Sequence, residues 1–524
     1  MSGTTARRVP PGGPRVRPVL PGRAAGFGQA LVRGLAAAGA RDALVCGEER
    51  LSGRRVLSMV ASAAAALEAR GVRPGEGLAL LYGRRPESVA GRLVALALGC
   101  PVVLVPAGLP AETAARAMRA TNATTLLYEA ARQEDAEALL PNVPAAVHAR
   151  LDRLFAGRGA KPAPMPSGEG MASVTFTNGT TGERKAVAYS HAAEAAQLAA
   201  ARAVVGPGAW RFLLWPGFHL PTLAALWTLA TGGTAVLMAG QDAGREGELI
   251  AREGLTHVLA EPSFGFNGLA GRLGDATGVR LVLYGGAPAV PERILEAVRT
   301  LGPVVRQSYG LTEAGFVTSL SPADHARPEL LASVGRAVPG VELEIRDERG
   351  GVVPDGEVGE VWVRSPQVMT GYVGDPRLTA AALRDGWVRT GDLGRLAPSG
   401  GRHLFLVDRA GSGLPPGVYA YPIEQVLTGH PGVADAAVFA LPDGGVGAVV
   451  AGRADERELR GLVRRELGPA CEPRRLWLVD DLPRTGAGKP DKSVLRERFG
   501  EGGGHRPPGD PASSPASRAP AWPG

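Results

Sequence analysis

The chain has 524 residues, of which 45% are hydrophobic and 21% charged, an ordinary globular balance in a chain too long for one hydrophobic core. Five of its seven net positive charges come from arginines among residues 1–25, and no basic stripe with interleaved aromatic residues follows, so no nucleic-acid partner is expected. Cys46, Cys100 and Cys471 lie far apart and predict neither a metal site nor a disulfide framework, which favours a reducing, cytoplasmic compartment.

The two ends of the chain differ in composition from its middle. Residues 1–25 are rich in Pro, Gly and Arg, and residues 501–524 in Gly, Pro, Ser and Ala, so we expect two disordered tails. Between them, segments of helix length alternate with short apolar runs of strand length. The first four are a helix at 56–70, a strand at 78–82, a helix at 87–98 and a strand at 102–105. This alternation predicts an α/β fold with parallel sheets covered by helices.

Residues 212–240 contain no Asp, Glu, Lys or Arg, but they do not predict a membrane span. Pro216, Pro221 and the glycine pair at 232–233 interrupt the apolar run. A buried helix followed by a short strand at 234–238 is the better prediction.

Two later regions have different patterns. Residues 341–364 contain short alternating strands around a polar turn at 347–351, which predicts an antiparallel or barrel-like subdomain. A small separate α/β unit follows. We therefore predict an N-terminal domain over residues 26–407 and a C-terminal domain over residues 408–500.

The segment VTFTNGTTGERKAVAYSH at 174–191 joins an apolar strand to a glycine-rich loop. Glycines allow backbone N–H groups to form a concave nest for an anion such as phosphate, and the threonine hydroxyls add donors. The position of the lysine differs from that in a P-loop, and no Ser or Thr follows it. A polar surface turn is the alternative. The candidate phosphate ligands are Thr177, Asn178, Gly179, Thr180, Thr181, Gly182 and Lys185.

Lysine is scarce in this chain, which has only Lys161, Lys185, Lys489 and Lys492 and otherwise uses arginine. Two of the four lie in glycine-flanked loops: Lys185 follows the nest, and Lys489 ends the segment PRTGAGK. A compact ammonium fits between a carboxylate and a phosphate more readily than a planar guanidinium does. The placement therefore favours a functional role for both lysines over chance.

The segment YGLTEAG at 309–315 offers three further ligands for a nucleotide. Tyr309 has a ring face for a base, and Thr312 can hold a phosphate oxygen. Glu313 can coordinate Mg²⁺, which prefers carboxylate together with phosphate oxygens. Alone this motif is weak, because Tyr-Gly pairs are common in turns.

Two more segments have chemistry that suits a nucleoside. LVLYGGAPAVPE at 281–292 ends a strand at Gly285 and Gly286, where a flat ring could approach the backbone closely. In WVRTGDLG at 387–394, Asp392 could accept hydrogen bonds from both ribose hydroxyls. Each segment taken singly is as readily structural as functional.

Taken together and in this order, the five motifs resemble those of the adenylate-forming superfamily of acyl-CoA synthetases, peptide-synthetase adenylation domains and luciferases, over residues 45–495. The resemblance implies an α/β fold with a large N-terminal domain of two sheet–helix subdomains plus a small β-barrel. A small, mobile α+β C-terminal domain would follow. It also implies an AMP-forming acid ligase that uses ATP and Mg²⁺ to convert a carboxylic acid into an acyl-adenylate, with release of pyrophosphate.

The resemblance assigns a role to each motif residue. It places Thr177 to Lys185 on the β- and γ-phosphates, Glu313 on Mg²⁺ and Thr312 on phosphate. The implied adenine site comprises Gly285, Gly286, Ala287 and Tyr309. Asp392 and Arg409 would hold the ribose. Lys489 is the implied catalytic lysine, and His219, in WPGFHLP, would stand beside the acyl pocket.

Three departures from the family pattern are mild, and one is larger. Asn178, Arg184 and Ala186 replace the usual Ser, Pro and Gly of the phosphate loop. The hinge segment 408–427 has Gly411 at the hinge position and lacks the lysine of the family pattern, which puts the usual thioester-forming conformation in doubt. This segment also resembles that of β-lactone synthetases.

Three functions therefore stay open at this point. The first is acid activation followed by transfer to CoA or another thiol, including that of a separate acyl carrier protein. The others are a β-lactone synthetase acting on a β-hydroxy acid and a non-catalytic nucleotide-binding homologue. Members of the superfamily that activate amino acids usually have an Asp in the segment equivalent to WPGFHLP, where it pairs with the substrate amine. None stands here, so the resemblance implies an acyl or aryl acid rather than an amino acid.

Overall fold

The computed structural model describes most of the chain between the two predicted tails, which lie outside the described residues. At His219 only the main chain is described. The described residues are 26–83, 85–143, 146–157, 170–177, 184–214, 219–238, 244–260, 273, 278–286, 290–398, 401–485 and 489–500.

The described strands fall into four sheets. In chain order they are β1 (Asp42–Cys46), β2 (Glu49–Ser52), β3 (Gly77–Leu81), β4 (Val102–Val105), β5 (Ala123–Tyr128), β6 (Val147–Arg150), β7 (Met171–Phe176), β8 (Ala186–Ser190), β9 (Arg211–Leu214), β10 (Thr234–Leu237), β11 (His257–Ala260), β12 (Leu281–Gly285), β13 (Val305–Leu311), β14 (Gly315–Leu320), β15 (Arg336–Ala337), β16 (Glu342–Arg346), β17 (Gly359–Arg364), β18 (Gly371–Tyr372), β19 (Leu383–Arg384), β20 (Trp387–Leu396), β21 (Leu404–Arg409), β22 (Val433–Ala440), β23 (Val446–Gly452) and β24 (Arg475–Val479).

The α-helices among the described residues alternate with these strands. They are α1 (Phe27–Ala38), α2 (Gly53–Glu68), α3 (Pro86–Leu98), α4 (Ala111–Ala120), α5 (Gln133–Leu139), α6 (Leu151–Phe155), α7 (His191–Val205), α8 (His219–Ala230), α9 (Glu246–Glu253), α10 (Pro291–Leu301), α11 (Pro376–Ala382), α12 (Ala420–Thr428), α13 (Glu456–Leu467) and α14 (Lys492–Leu495).

Two large sheets form the body of the molecule. The nine-stranded sheet has the order β15-β14-β13-β12-β11-β9-β10-β1-β2, and the seven-stranded sheet has the order β18-β8-β7-β4-β3-β5-β6. Their central strands are parallel and apolar, as expected for strands covered on both faces. The outer strands β2, β14, β15, β8 and β18 pair antiparallel, whereas the edge strand β6 pairs parallel with β5. The predicted α/β class is confirmed.

The largest core lies between these two sheets. Its buried residues come from helices α1, α2, α3 and α8 and from strands of both sheets. Helix α3 begins with Pro86 and ends at Leu98, and Gly99, which has a φ of +67°, caps its C-terminus. Leu93 in its middle is fully buried. The apolar stretch that begins at Phe212 contains helix α8 and strand β10, as predicted, and also most of β9, a strand not predicted from the sequence. No helix that the structure describes is long and apolar enough to cross a membrane.

The remaining sheets are smaller. A five-stranded antiparallel sheet contains β16, β17, β19, β20 and β21, which confirms the predicted antiparallel subdomain. A three-stranded sheet of β22, β23 and β24 packs with α12 and α13 near the C-terminus. Strand β21 extends to Arg409, so it runs past the predicted domain boundary at residue 407, which stays a prediction.

The buried carboxylate of Asp408 links the two ends of the segment that joins the five-stranded and three-stranded sheets. Asp408 is 2% exposed, and its Oδ2 accepts a hydrogen bond of 3.1 Å from the backbone N–H of Ala420, the first residue of α12. Its Oδ1 accepts one of 2.7 Å from the N–H of Arg409. Between these contacts, Gly411 and Gly413 have φ angles of +77° and +78°, a region that favours glycine.

Candidate active site

The first cluster of the site is built around Asp392, which lies inside β20 and is 4% exposed. Strand β21 places Arg409 directly opposite it in the ladder. Arg409 Nη1 donates a hydrogen bond of 2.6 Å to Asp392 Oδ1, and the hydroxyl of Tyr309, on β13, donates one of 2.6 Å to Oδ2. Three predicted residues from two sheets therefore meet at one carboxylate.

The tyrosine in this cluster is held in its neutral form. Burial raises the pKa of Tyr309 well above its usual value, and the negative charge of Asp392 raises it further. Its hydroxyl is thus a permanent donor to Asp392. The sequence predicts only that the ring faces a base, and no spacing rule predicts this hydrogen bond.

The second cluster lies at the turn between β13 and β14, which contains Thr312 and Glu313. The Tyr189 hydroxyl donates to the carbonyl oxygen of Thr312, and the N–H of Met369 donates to that of Glu313 over 2.9 Å. The hydroxyl of Tyr372 donates a hydrogen bond of 2.8 Å to Glu313 Oε1. The turn is therefore fixed from the seven-stranded sheet, since β8 and β18 carry the two tyrosines.

The base of the predicted phosphate loop lies beside this turn. The N–H of Thr177 donates to the carbonyl of Lys185 over 3.0 Å, and the N–H of Lys185 donates to Thr177 Oγ1 over 3.1 Å. The Lys185 ammonium lies 5.3 Å from the centroid of the Tyr372 ring. The loop residues predicted between them, Asn178, Gly179, Thr180, Thr181 and Gly182, lie outside the described residues.

A cavity of about 250 Å³ joins the two clusters. Lys185, Glu313, Tyr372 and Arg409 line it, together with Leu311, Glu360, Ala381, Ala382, Arg389, Thr390 and Gly391. It brings a lysine and an arginine to the same space as a carboxylate. Such an arrangement suits a phosphate group and a metal ion together.

The glycines predicted for the adenine site follow β12. A Cβ atom at Gly285 would overlap the carbonyl oxygen of Ser308, so the close pairing of β12 and β13 requires glycine there. Gly286 has a φ of +91° and open space on the side where a Cβ would stand. Ala287 and the side chain of His219 lie outside the described residues.

Residue matches to a family decide what kind of protein this is. The family model described as AMP-binding enzyme matches residues 33–373, and the model for the AMP-binding enzyme C-terminal domain matches residues 422–489. The chain belongs to the AMP-binding enzyme family. It is therefore an adenylate-forming, AMP-forming acid ligase, as its motifs predict.

Known members of the family are similar along most of their length. A medium/long-chain-fatty-acid–CoA ligase of Mycobacterium tuberculosis is 29% identical, with 88% of this chain and 88% of the relative covered. A feruloyl-CoA synthase of Amycolatopsis is 30% identical over 84% of this chain and 92% of the relative. The solved structure of an amide bond synthetase from Marinactinospora thermotolerans is 39% identical, with a TM-score of 0.81 and coverage of 90% and 99%.

The cofactors expected of an AMP-binding enzyme fit the described residues. Glu313 Oε1 is engaged by Tyr372, whereas Glu313 Oε2 makes no hydrogen bond within the part of the chain that the structure describes. Mg²⁺ bound to ATP takes one or two carboxylates and keeps several waters, so a single carboxylate with one available oxygen suits it. ATP and Mg²⁺ therefore fit this site in general terms.

The predicted catalytic lysine does not join the clusters in this arrangement. Lys489 follows β24, and its carbonyl accepts a hydrogen bond of 2.8 Å from the N–H of Thr485. Lys489 is not among the described residues that line the cavity. In contrast, Tyr372 lines the cavity although no motif predicted it. It lies 59 positions beyond Glu313 in the chain, and no local sequence pattern predicts a contact over that separation.

Proposed function

We propose that this AMP-binding enzyme activates an acyl or aryl carboxylic acid as its acyl-adenylate and transfers the acyl group to an amine. The observation that supports the first step is the convergence of Lys185, Glu313 and Arg409 on one cavity, with Asp392 bound to Arg409 at its edge. These residues lie on or next to strands of three sheets and come from four separate segments of the sequence. The transfer step depends on other observations, given below.

ATP extends across the two clusters in this proposal. The loop from Thr177 to Lys185 binds the β- and γ-phosphates, with Thr312 as a further phosphate ligand. Gly285, Gly286, Ala287 and Tyr309 border the adenine. Asp392 accepts hydrogen bonds from the ribose hydroxyls, since each carboxylate oxygen has a second lone pair beside the one that Tyr309 or Arg409 uses.

The chemistry of the first step joins two anions. A carboxylate oxygen attacks the α-phosphorus of ATP, the bond from that phosphorus to the bridging oxygen breaks, and pyrophosphate leaves. Charge neutralisation and positioning supply most of the rate. Lys185 balances charge on the departing phosphates, and Lys489 bridges the carboxylate and the α-phosphate once the C-terminal unit has carried it into the site. Glu313 would hold Mg²⁺, which would supply positive charge to offset that on the leaving pyrophosphate.

The similarity to an amide bond synthetase supports an amine as the acceptor. The amide bond synthetase shares 39% identity with this chain, against 29% and 30% for the two CoA-forming relatives. In the transfer, the neutral amine attacks the acyl carbon and the carbon–oxygen bond to the phosphate breaks. AMP leaves, and the nitrogen gives up its proton to water. No redox partner is needed.

A thiol acceptor, that of CoA or of a carrier protein, is the second candidate. The names of the fatty-acid and feruloyl relatives favour it. The hinge segment disfavours it, because Gly411 stands where the family has a charged hinge residue and the segment 408–427 contains no lysine. The same two relatives support an acyl or aryl acid as the substrate.

The first step is tested by acid-dependent release of pyrophosphate on a panel of fatty and aromatic acids. Lys489→Ala should lower this rate about 100- to 1000-fold, the usual cost of removing one group that stabilises transition-state charge. Lys492→Arg is the matched control from the same segment, because arginine keeps the ion pair of 2.7 Å with Glu424. Absence of pyrophosphate release with every acid, or full activity of Lys489→Ala, would overturn the proposal.

The acceptor is tested by mass spectrometry of the products. The best acid is supplied with ATP and either CoA, a primary amine or no acceptor. An amide formed only with the amine supports the proposal. Faster formation of the acyl-CoA thioester would show that the acceptor is a thiol and not an amine. A β-lactone formed from a β-hydroxy acid without an added acceptor would show that the acceptor is the hydroxyl of the acid itself.

A further inference from the structure

Tyr372 is a cavity-lining residue that no motif of the sequence singles out. It is 8% exposed and makes two contacts with predicted site residues. Its hydroxyl donates to Glu313 Oε1 over 2.8 Å, and its ring lies 5.3 Å from the ammonium of Lys185. One side chain thus contacts both the predicted metal ligand and the predicted phosphate ligand.

The backbone around Tyr372 is held firmly. Strand β18 pairs with β8, which places Tyr372 opposite Val187, two residues beyond Lys185. The N–H of Tyr372 donates to Thr379 Oγ1 over 2.9 Å, which ties the strand to α11. The position of the phenol is therefore fixed by the seven-stranded sheet, whereas Glu313 belongs to the nine-stranded one.

The side chain of Glu313 is held by Tyr372. The contacts from Tyr189 and Met369 end on carbonyl oxygens of the turn, and they fix its main chain. Within the described part of the chain, the carboxylate itself receives a hydrogen bond from Tyr372 alone. Removing that hydroxyl would free the carboxylate and leave the turn in place.

We propose that Tyr372 is a positioning residue for metal binding. Its hydroxyl donates to Oε1 of Glu313 and so orients Oε2 toward the metal ion of bound MgATP. Its ring holds the ammonium of Lys185 by a cation–π contact. The inference rests on the proposed function, because it takes Glu313 as a ligand of that metal. It adds a residue that couples the metal site to the phosphate loop.

The test separates the metal from the nucleotide. Calorimetry gives the Kd for MgATP and the Kd for metal-free ATP in EDTA. The ratio of the Kd for metal-free ATP to the Kd for MgATP measures the preference for the metal complex. Partners that orient metal ligands typically contribute about 10- to 100-fold to affinity. Tyr372→Phe should reduce the ratio by about tenfold or more and leave the Kd for metal-free ATP within about twofold, since the ring and its cation–π contact remain.

A second variant tests the ring. Tyr372→Leu should reduce the ratio as Tyr372→Phe does. It should also weaken binding of metal-free ATP, because the Lys185 ammonium loses its cation–π contact with the ring. Tyr284→Phe is the matched control: it removes a buried phenol oxygen that contacts His325 Nε2 at 3.0 Å, outside both clusters. Its ratio should equal that of the unchanged protein.

The outcomes distinguish the inference from the proposed function. If Tyr372→Phe keeps the full ratio, or if both dissociation constants rise equally, Tyr372 does not position a metal ligand. If the unchanged protein prefers MgATP and loses that preference in Tyr372→Phe but releases no pyrophosphate with any acid, the positioning role stands and the proposed function fails. Melting temperatures show that each variant is folded.

Discussion

Asp392 and Glu313 are two carboxylates in similar settings that leave different chemistry available. Each accepts a hydrogen bond from a tyrosine hydroxyl, of 2.6 Å for Asp392 and 2.8 Å for Glu313. Asp392 has a second partner in Arg409, so both of its oxygens are engaged. Glu313 has one engaged oxygen among the described contacts and lines the cavity.

The difference follows from where each residue lies. Asp392 is in the interior of β20 between two paired strands, where a charge needs partners to be buried. Glu313 is on a turn and is half-buried, so one oxygen can stay available. A carboxylate with a protein partner on each oxygen is a rigid acceptor that can still take hydroxyl hydrogen bonds on its second lone pairs, whereas a carboxylate with one available oxygen suits a cation. The comparison predicts that the two residues fail in different ways when altered.

The largest effect is expected for Asp392→Asn. The amide keeps the shape but loses the charge that Arg409 and a ribose both use, and hydrogen bonds to charged groups are worth about 1.5–3 kcal/mol each. We expect the Kd for MgATP and for metal-free ATP to rise together, by about 100-fold, in calorimetry. Asp385→Asn, in the exposed turn before β20, should leave both unchanged. A selective loss of MgATP binding would contradict the assignment.

The next effect is expected for Glu313→Gln. The neutral amide can still accept from Tyr372 but attracts a cation far less, so the preference for MgATP over metal-free ATP should fall about 10- to 100-fold. Binding of metal-free ATP should be nearly unchanged. Glu357→Gln, at an exposed site, is the control. An equal loss of both forms of ATP would mean that the two carboxylates do not differ as proposed.

A smaller effect is expected for Tyr309→Phe. Asp392 then keeps Arg409 but loses one buried hydrogen bond, which should cost about 1–2 kcal/mol of unfolding free energy and raise the KM for MgATP about tenfold. Denaturant unfolding and pyrophosphate release measure the two quantities. The Tyr284→Phe control should share the loss of stability and keep its KM. If both variants keep their KM, the Tyr309 hydroxyl does not tune Asp392.

The smallest effect is expected from alkaline pH. Burial, and then the Glu313 carboxylate, raise the pKa of Tyr372, and burial raises that of Tyr309. Because the pKa of each phenol is higher in the folded state than in the unfolded state, the folded state keeps the proton to higher pH. These groups therefore add to the free energy of unfolding below about pH 10, and their contribution declines above that pH. Pyrophosphate release by folded protein should show no tyrosine titration between pH 8 and 10. A titration that Tyr372→Phe abolishes would contradict this.

The sequence predicts the residues of each cluster better than the contacts among them. The α/β class, the buried helix before β10 and the antiparallel region after residue 341 follow from periodicity and turn residues, which are local. The motif residues Tyr309, Asp392 and Arg409 meet in the structure. The pairing of Tyr372 with Glu313 arises where strands of two sheets approach each other, and no periodicity within either segment encodes that approach.

The hydrogen bond between Asp408 and Ala420, the first residue of α12, affects how strongly each arrangement of the C-terminal unit is populated. Any arrangement in which the C-terminal unit turns about residues 410–413 must separate Asp408 from Ala420 and give up that charged hydrogen bond. A loss of about 1.5–3 kcal/mol corresponds to a roughly 10- to 150-fold shift in population. Without a ligand that compensates for this loss, the arrangement that keeps the hydrogen bond between Asp408 and Ala420 is therefore the more populated one.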